Sequence, residues 1–144
     1  MKTIFTFSEA IRLIVEFCAP MGGCYVDESK KDPLFQRFVE ANCVYLDEEF
    51  QDKYLINEEG RGLLRPYAEQ IALSLIRFML PPRSLHPANQ LSEWFLRTYN
   101  LDEETAESAA DYFCHMLDRF NADYKICFAY RSDVGKGYEL VKTL

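Results

Sequence analysis

The sequence lacks an excess of positive charge. It has 23 acidic and 16 basic residues among 144, so its formal net charge is −7 and its pI is about 4.9. A protein that binds DNA by general attraction to the phosphates usually carries the opposite sign. The composition therefore counts against non-specific binding to nucleic acid or to anionic membranes, and it leaves room only for a local basic patch.

Long apolar runs are also missing. No stretch of the sequence approaches the roughly 18 consecutive apolar residues that a membrane-spanning helix needs. The first apolar stretch is interrupted by Glu9, Arg12 and Glu16, whereas the apolar region of a secretory signal carries no charges. We therefore expect no membrane contact and no secretory signal, and we expect a cytoplasmic protein.

Glycine, proline and cysteine show no special pattern. There are 6 glycines and 6 prolines, which excludes collagen-like and low-complexity chains. The 5 cysteines are odd in number, and their spacing forms neither a disulfide framework nor the paired motifs of a zinc site. They are interpreted as small apolar residues in a reducing compartment. With 49% apolar residues, a chain of this length can bury a proper core.

Helical periodicity dominates what the sequence does contain. Thr6–Glu9 has the pattern of a capping box, and apolar residues then recur at helical spacing to about Ala19. Asp32 and Pro33 are typical of a second helix start, with aspartate as the cap and proline at the first helical position. Later helices are predicted over Tyr67–Leu80, about Ala88–Tyr99 and Glu103–Asn121, the last capped by Asn100 or Asp102.

A third helix start precedes these later helices. Asn57 is predicted to cap it, with Glu58 and Glu59 in the first turn, where carboxylates favour the positive end of the helix dipole. Pro66 follows within the same helical pattern. Because proline lacks an N–H and its ring meets the preceding turn, it is predicted to kink or break this helix near Arg65.

Two segments have the alternation of β-hairpins. The first consists of residues 43–46 and 53–56 around an acidic turn. The second consists of residues 124–131 and 138–143 around a turn at Ser132–Gly137. The sequence therefore predicts an α+β fold, mainly helical, with about five to six helices and two short β-hairpins. We expect residues 1–144 to form a single compact domain, with two similar halves at 1–80 and 87–144.

The order helix, short turn, helix, hairpin over Pro87–Leu144 resembles a winged-helix unit. The resemblance implies a helix-turn-helix whose first helix is Ala88–Tyr99, with Glu103–Asn121 in the recognition-helix position and Arg131–Lys136 at the wing tip. Lys53–Leu64 is similar to the tyrosine-leucine-threonine-x-x-glycine-arginine segment of many winged-helix regulators, with an asparagine in place of the threonine. The resemblance thus implies two winged-helix-like halves, and it concerns the fold, which does not determine function.

The helix in the recognition position has the wrong charge for a DNA groove. Such helices present arginine, lysine, asparagine or glutamine to the bases. Residues 100–123 instead carry seven acidic residues and one basic residue, a net charge of −6. The sequence therefore predicts that this helix binds a protein partner, and a second copy of the chain is one possible partner. A further alternative is an acidic protein that mimics DNA. An ordinary solvated helix face also accounts for the stripe. The predicted partner-binding residues are Glu104, Glu107, Asp111, His115 and Asp118.

Basic residues lie outside this helix. Residues 61–99 have five arginines against two glutamates, and the segment from Tyr124 has four basic residues against two acidic ones. The alternative hypothesis is a DNA-binding regulator that uses Arg61, Arg65, Arg131 and Lys136. We prefer the interpretation that these residues are ordinary solvated surface charges.

No catalytic, metal or cofactor site is predicted. His115 lies between Asp111 and Asp118 at helical spacing, but a zinc site needs three or four ligands at set positions. The glycines of residues 60–62 lack the lysine of a phosphate-binding loop. The sequence therefore predicts a protein that is not an enzyme. In the second hairpin, Tyr124, Tyr130 and Tyr138 are candidates for a docking surface or a dimer contact.

Overall fold

The structure, a computed structural model, describes residues 5–20 and 23–143. Leu144, the last residue of the segment that resembles a winged-helix unit, lies outside these residues. The chain divides into two compact units, Met1–Pro66 and Tyr67–Leu144.

The predicted α+β fold, mainly helical, is confirmed. Its helices and strands are α1 (Phe7–Leu13), β1 (Cys24–Tyr25), α2 (Pro33–Glu40), β2 (Val44–Leu46), β3 (Lys53–Ile56), α3 (Glu58–Met79), β4 (Leu85–His86), α4 (Ala88–Tyr99), α5 (Glu103–Phe120), β5 (Tyr124–Arg131) and β6 (Gly135–Lys142).

The first two predicted helix starts are present in the structure. The Thr6 hydroxyl accepts a hydrogen bond from the Glu9 N–H, and the Glu9 carboxylate accepts one from the Thr6 N–H, which completes the capping box. After α1 the helix continues as a π-helical turn over Ile14–Cys18. The Asp32 carboxylate caps α2 by accepting from the Phe35 N–H at 2.9 Å.

Aromatic rings fill the core of the first unit. The ring centroids of Phe17 and Phe38 are 5.5 Å apart, and those of Phe5 and Phe38 are 6.1 Å apart. All three side chains are almost completely buried. Phe38 belongs to α2, and Phe5 and Phe17 lie just before and just after α1, so the two helices are held together mainly by burial of apolar surface and by ring contacts.

A three-stranded antiparallel sheet completes the first unit, in the order β1-β3-β2. The predicted hairpin of β2 and β3 is confirmed. Strand β1 was not predicted, because two residues are too few to show a period of two. Immediately after β3, Asn57 accepts a hydrogen bond from the Gly60 N–H at 2.8 Å, so its predicted role as a cap of α3 is confirmed.

Pro66 does not break α3, so of the two effects predicted near Arg65 the break is wrong, whereas the kink stays a prediction. The helix runs from Glu58 to Met79 with the proline inside it. A proline ring meets the carbonyl of the residue four positions earlier, which here is Gly62. A glycine adjusts its backbone more easily than other residues, and no atom lies within 4 Å of the place a Cβ would occupy at Gly62.

The second unit has a sheet of the same order, β4-β6-β5, also antiparallel. Strand β6 begins at Gly135, so the predicted turn at Ser132–Gly137 was too long. The backbone of Asn100 is left-handed, with φ 55°, and ends α4, so this residue does not cap α5. In each unit, then, a short strand precedes a helical segment and pairs with the second strand of the hairpin that follows.

The core of the second unit lies between α4, α5 and the hairpin of β5 and β6. The rings of Phe95 on α4 and Phe113 on α5 stack with a centroid distance of 5.7 Å. Both are fully buried, as is Leu140 of β6. These contacts fix the side of α5 that faces inward, and they leave its other side in solvent.

Acid is expected to weaken the first unit through Glu9. The backbone hydrogen bond from Thr6 lowers the pKa of Glu9 from its ordinary value of 4.5, and the neighbouring Arg37 lowers it further. A lowered folded-state pKa stabilises the fold above the ordinary pKa, and this contribution is lost as the pH falls through the folded value. Carboxyl ¹³C titration by NMR should therefore give Glu9 a pKa below 4.5.

The variant Glu9→Gln supplies the control for this prediction. Its stability in urea should fall at neutral pH and should change less than that of the natural chain between pH 4.5 and more acidic values. Glu40→Gln alters an exposed carboxylate on α2 and should leave the acid response unchanged. Equal acid responses of Glu9→Gln and the natural chain would show that this carboxylate does not stabilise the fold.

Candidate functional site

The exposed side of α5 holds all the residues that the sequence analysis proposed for partner binding. They lie at spacings of three and four residues, so they form one stripe along the helix. Each of them is exposed: Glu104, Glu107, Asp111, His115 and Asp118. The opposite side is buried and consists of Ala106, Ala109, Ala110, Phe113, Cys114 and Leu117. The helix therefore presents one continuous acidic surface.

Much of the negative charge of this acidic surface is uncompensated. In the same unit, Glu93 pairs with Arg97 at 2.6 Å, and Glu139 pairs with two arginines. Among residues 23–143, Glu104, Glu107 and Asp118 make no ion pair with lysine or arginine. Their mutual repulsion is unfavourable, and a cation from another molecule would relieve it.

His115 is held beside Asp111 on this surface. Its Nδ1 lies 2.7 Å from the main-chain oxygen of Asp111 and 3.4 Å from a carboxylate oxygen of the same residue. In neutral histidine the Nδ1–H would donate to that oxygen. The imidazole ring also makes an edge contact with Tyr138 of β6, at a centroid distance of 6.5 Å. The acidic surface is therefore continuous with an aromatic side chain of the hairpin.

A cleft of about 310 Å³ opens beside the acidic surface, between α4, α5 and β6. Glu107 and Asp111 line one side, and Tyr138 lines another. Apolar atoms of Leu91 and Ala110 form part of the lining. Cavities that hold small ligands have volumes of about 300–1,000 Å³, so this one is at the lower end of the range.

The first turn of α4 forms another wall of the cleft, through Ala88, Asn89 and Ser92. Pro87 precedes the helix and provides no side-chain cap. The first N–H groups of a helix carry partial positive charge and need acceptors. The cleft thus lies between the uncapped first turn of α4 and the carboxylates of α5. Sequence analysis named the carboxylates and Tyr138 separately, but not the cleft that they share with α4, because their proximity arises only from the packing of the sheet against both helices.

Cys114 also lines the cleft, but it is a poor nucleophile. Burial, together with the neighbouring Asp111 carboxylate, raises the pKa of its thiol to about 12. The reactive form of cysteine is the thiolate, which is scarce at neutral pH when the pKa is so high. His115 does not line the cleft. The arrangement therefore does not provide the cysteine–histidine pair that nucleophilic catalysis would need.

Metal binding has no structural support in the part of the chain that the structure describes. Within residues 5–20 and 23–143, no three histidine, cysteine, aspartate or glutamate side chains come together as a possible metal site. His115 and Asp111 are neighbours, as their spacing predicted, but two ligands do not form a closed site.

The basic residues of the alternative hypothesis fall into two pairs. Arg61 and Arg65 lie one helical turn apart on α3, in the first unit, and both are exposed. Arg131 and Lys136 lie at the end of the hairpin in the second unit. Arg131 donates to the Arg83 carbonyl at 2.6 Å and pairs with Glu139 at 3.1 Å, so its guanidinium is already engaged within the protein.

The aromatic residues of the hairpin differ in exposure. Tyr130 has 64% of its surface exposed, whereas Tyr124 and Tyr138 are only partly exposed. Phe128, which the sequence analysis did not single out, is 63% exposed and contacts Tyr138 with a centroid distance of 5.8 Å. Phe128, Tyr130 and Tyr138 share one face of the hairpin because β5 and β6 pair Phe128 with Tyr138.

Comparison with known proteins finds no match among family models, curated proteins or solved structures. Of the helices in residues 5–20 and 23–143, none combines the length and the apolar character needed to cross a bilayer.

Proposed function

We propose that this chain is a non-enzymatic, winged-helix-like binding protein that holds a basic segment of a protein partner on the exposed face of α5. The observation that carries the proposal is the uncompensated charge of Glu104, Glu107 and Asp118 on a fully exposed helix face. Opposite charges on two surfaces accelerate their encounter and discriminate against wrongly charged partners.

The order of elements in Tyr67–Leu144 supports the winged-helix-like part of the proposal. α4 and α5 are joined by three residues, and the hairpin of β5 and β6 follows directly. β4 precedes the two helices and pairs with β6. In this arrangement α5 has the position of a recognition helix, and its acidic face is the surface that a partner would meet.

Charge favours a protein partner over DNA. Phosphates brought to α5 would meet carboxylates and no exposed cluster of basic side chains. At the hairpin end, the Arg131 guanidinium already pairs with Glu139, which also pairs with Arg83, and Lys136 is the other basic side chain proposed there. A basic protein segment, by contrast, would gain from every carboxylate of the stripe.

The test is a titration of the protein with a fluorescein-labelled Gly-Arg repeat peptide, followed by anisotropy at about 50 mM and about 200 mM salt. We expect binding that weakens with salt, and no binding of mixed-sequence duplex DNA. Substitution of four α5 carboxylates, Glu104→Gln, Glu107→Gln, Asp111→Asn and Asp118→Asn, should weaken peptide binding about tenfold or more, because each exposed pair contributes a few tenths to about 1 kcal/mol.

A variant with the same change in net charge provides the control. It carries Glu40→Gln, Glu48→Gln, Glu49→Gln and Glu58→Gln, four exposed carboxylates of the first unit. Its peptide affinity should stay close to that of the natural chain. Equal losses in the two variants, or tight salt-dependent binding of DNA without binding of the peptide, would contradict the proposal and favour the regulator with Arg61, Arg65, Arg131 and Lys136.

The cysteines bear on the cellular location that we propose, the cytoplasm. All five cysteines are free, as a reducing compartment such as the cytoplasm requires. A homodimer is the other assembly that the sequence predicts, and light scattering of the purified protein would measure its mass.

A further inference from the structure

We infer that the cleft beside α5 accepts one arginine side chain of the basic segment and so anchors it. This inference rests on the proposed function. It starts from the position of the cleft, which borders the acidic surface and contains two of its carboxylates, those of Glu107 and Asp111. A peptide lying along α5 would therefore pass directly over the opening.

The walls of the cleft match the parts of an arginine side chain. Ala88 provides exposed apolar surface for the three methylene groups, with the nearly buried Ala110 also in the lining, and arginine commonly buries such a stem against apolar residues. Glu107 and Asp111 lie one helical turn apart and can accept from different edges of a guanidinium. Tyr138 offers an aromatic ring on which the planar group would stack.

Arginine fits these walls better than lysine. A guanidinium has five N–H donors in a fixed fork, whereas an ammonium has three and no flat face. With two carboxylates and one ring around it, only the guanidinium can both donate to two acceptors and stack. Cys114 stays protonated in the lining and competes for no cation, because burial raises the pKa of its thiol to about 12.

The uncapped first turn of α4 can bind the backbone of the same peptide arginine. Ala88 and Asn89 line the cleft, and the first turn of α4, to which they belong, receives no side-chain cap. A peptide carbonyl is a suitable acceptor for the first N–H groups of a helix, and the helix dipole favours its partial negative charge. An arginine within a peptide supplies both the carbonyl and the cation. A single residue would therefore contact both the first turn of α4 and the carboxylates of α5.

The experiment fills the cleft without changing any charge. Ser92 lines the cleft, and its hydroxyl donates only to carbonyls of its own helix, those of Ala88 and Asn89. Ser92→Leu would therefore place an apolar side chain in the opening at little cost to the fold. Affinity is measured for a Gly-Arg repeat peptide and for a Gly-Lys repeat peptide of equal length and charge.

We expect the natural chain to bind the arginine peptide about tenfold more tightly than the lysine peptide. The guanidinium can make more hydrogen bonds to the charged carboxylates than an ammonium can. Ser92→Leu should remove this preference and leave the affinity for the lysine peptide nearly unchanged. Thr98→Leu, an exposed change near the other end of α4, is the matched control and should keep the preference. Tyr138→Leu, which removes the ring, is a second variant that should also lose it.

The outcomes separate this inference from the proposed function. Equal affinity of both peptides for the natural chain and for Ser92→Leu would overturn the arginine anchor and leave binding on α5 standing. No binding of either peptide to the natural chain would overturn both. Amide chemical shifts should move at Ala88, Asn89 and Asp111 when the arginine peptide binds, and shifts confined to other parts of the second unit would also overturn the anchor. Circular dichroism of each variant verifies that it is folded.

Discussion

Replacement of Phe95 by alanine is expected to remove a large share of the stability of the second unit. Phe95 is fully buried, and its ring contacts those of Trp94, Tyr99 and Phe113. Truncation of a buried phenylalanine costs about 3–5 kcal/mol, since the apolar contacts are lost and a cavity remains. Whole domains are stable by about 5–15 kcal/mol, so this loss is a large share of the total.

Urea denaturation followed by circular dichroism measures this effect. Trp94, the only tryptophan of the chain, gives a second signal from the same unit through its fluorescence. Phe128→Ala is the matched control, because it removes the same side chain from a position that is 63% exposed. That control should change the stability by less than about 0.5 kcal/mol. A comparable loss in both variants would mean that Phe95 is not part of the core described above.

Two glycines of α3 are expected to respond to alanine with opposite signs. At Gly60 a Cβ would lie 2.5 Å from the Cys43 carbonyl oxygen and 2.7 Å from a side-chain carbon of Ile56. Backbone atoms cannot move away easily, so Gly60→Ala should lower the free energy of unfolding by about 1–3 kcal/mol. Gly62 has no atom within 4 Å of that place, and Gly62→Ala should raise it by about 0.5–1 kcal/mol.

The pair controls for helix propensity, because both positions lie in the same helix, two residues apart. Thermal unfolding of the two variants beside the natural chain measures the difference. A stabilised Gly60→Ala variant would show that α3 and the backbone at Cys43 do not approach each other as closely as the structure indicates. A destabilised Gly62→Ala variant would show that this turn needs the freedom of glycine, for instance to accommodate Pro66.

The sequence predicted those parts of the fold whose signal is local. The capping box at Thr6, the aspartate cap at Asp32 and the asparagine cap at Asn57 each depend on side chains within three residues of the helix start, so they could be recognised without a structure. Pro66 was misjudged because its effect depends on the turn before it. The rule for proline is reliable on average, but here the residue at the point of contact is a glycine.

Strands β1 and β4 escaped prediction for a different reason. Each has two residues, and each exists because a longer strand offers it an edge: β3 pairs with Cys24 and Tyr25, and β6 pairs with Leu85 and His86. Their own side chains carry no periodic signal. Such strands become visible only once the hairpins are in place.

The candidate site was predictable only in part. The stripe on α5 follows from helical spacing alone, so its residues could be named and placed on one face. The cleft needs α4, α5 and β6 together, and Ser92 and Tyr138 are 46 positions apart in the chain while lining the same opening. No local sequence pattern predicts that these two residues lie close together, because their proximity results from tertiary packing. Phe128 was overlooked because apolar residues in a strand normally indicate core.

The position of β5 at the outside of its sheet has a consequence for aggregation. Among residues 23–143, one edge of this strand has no strand partner, and open edges are where separate molecules join into larger sheets. If two copies paired antiparallel with Phe128 opposite Phe128, Lys125 of each would face Arg131 of the other. Glu139 already pairs with both Arg83 and Arg131, so it could not neutralise Lys125 of the other copy as well. Like charges placed directly opposite destabilise a strand pair, and these two cations therefore protect an aromatic edge against growth into fibrils.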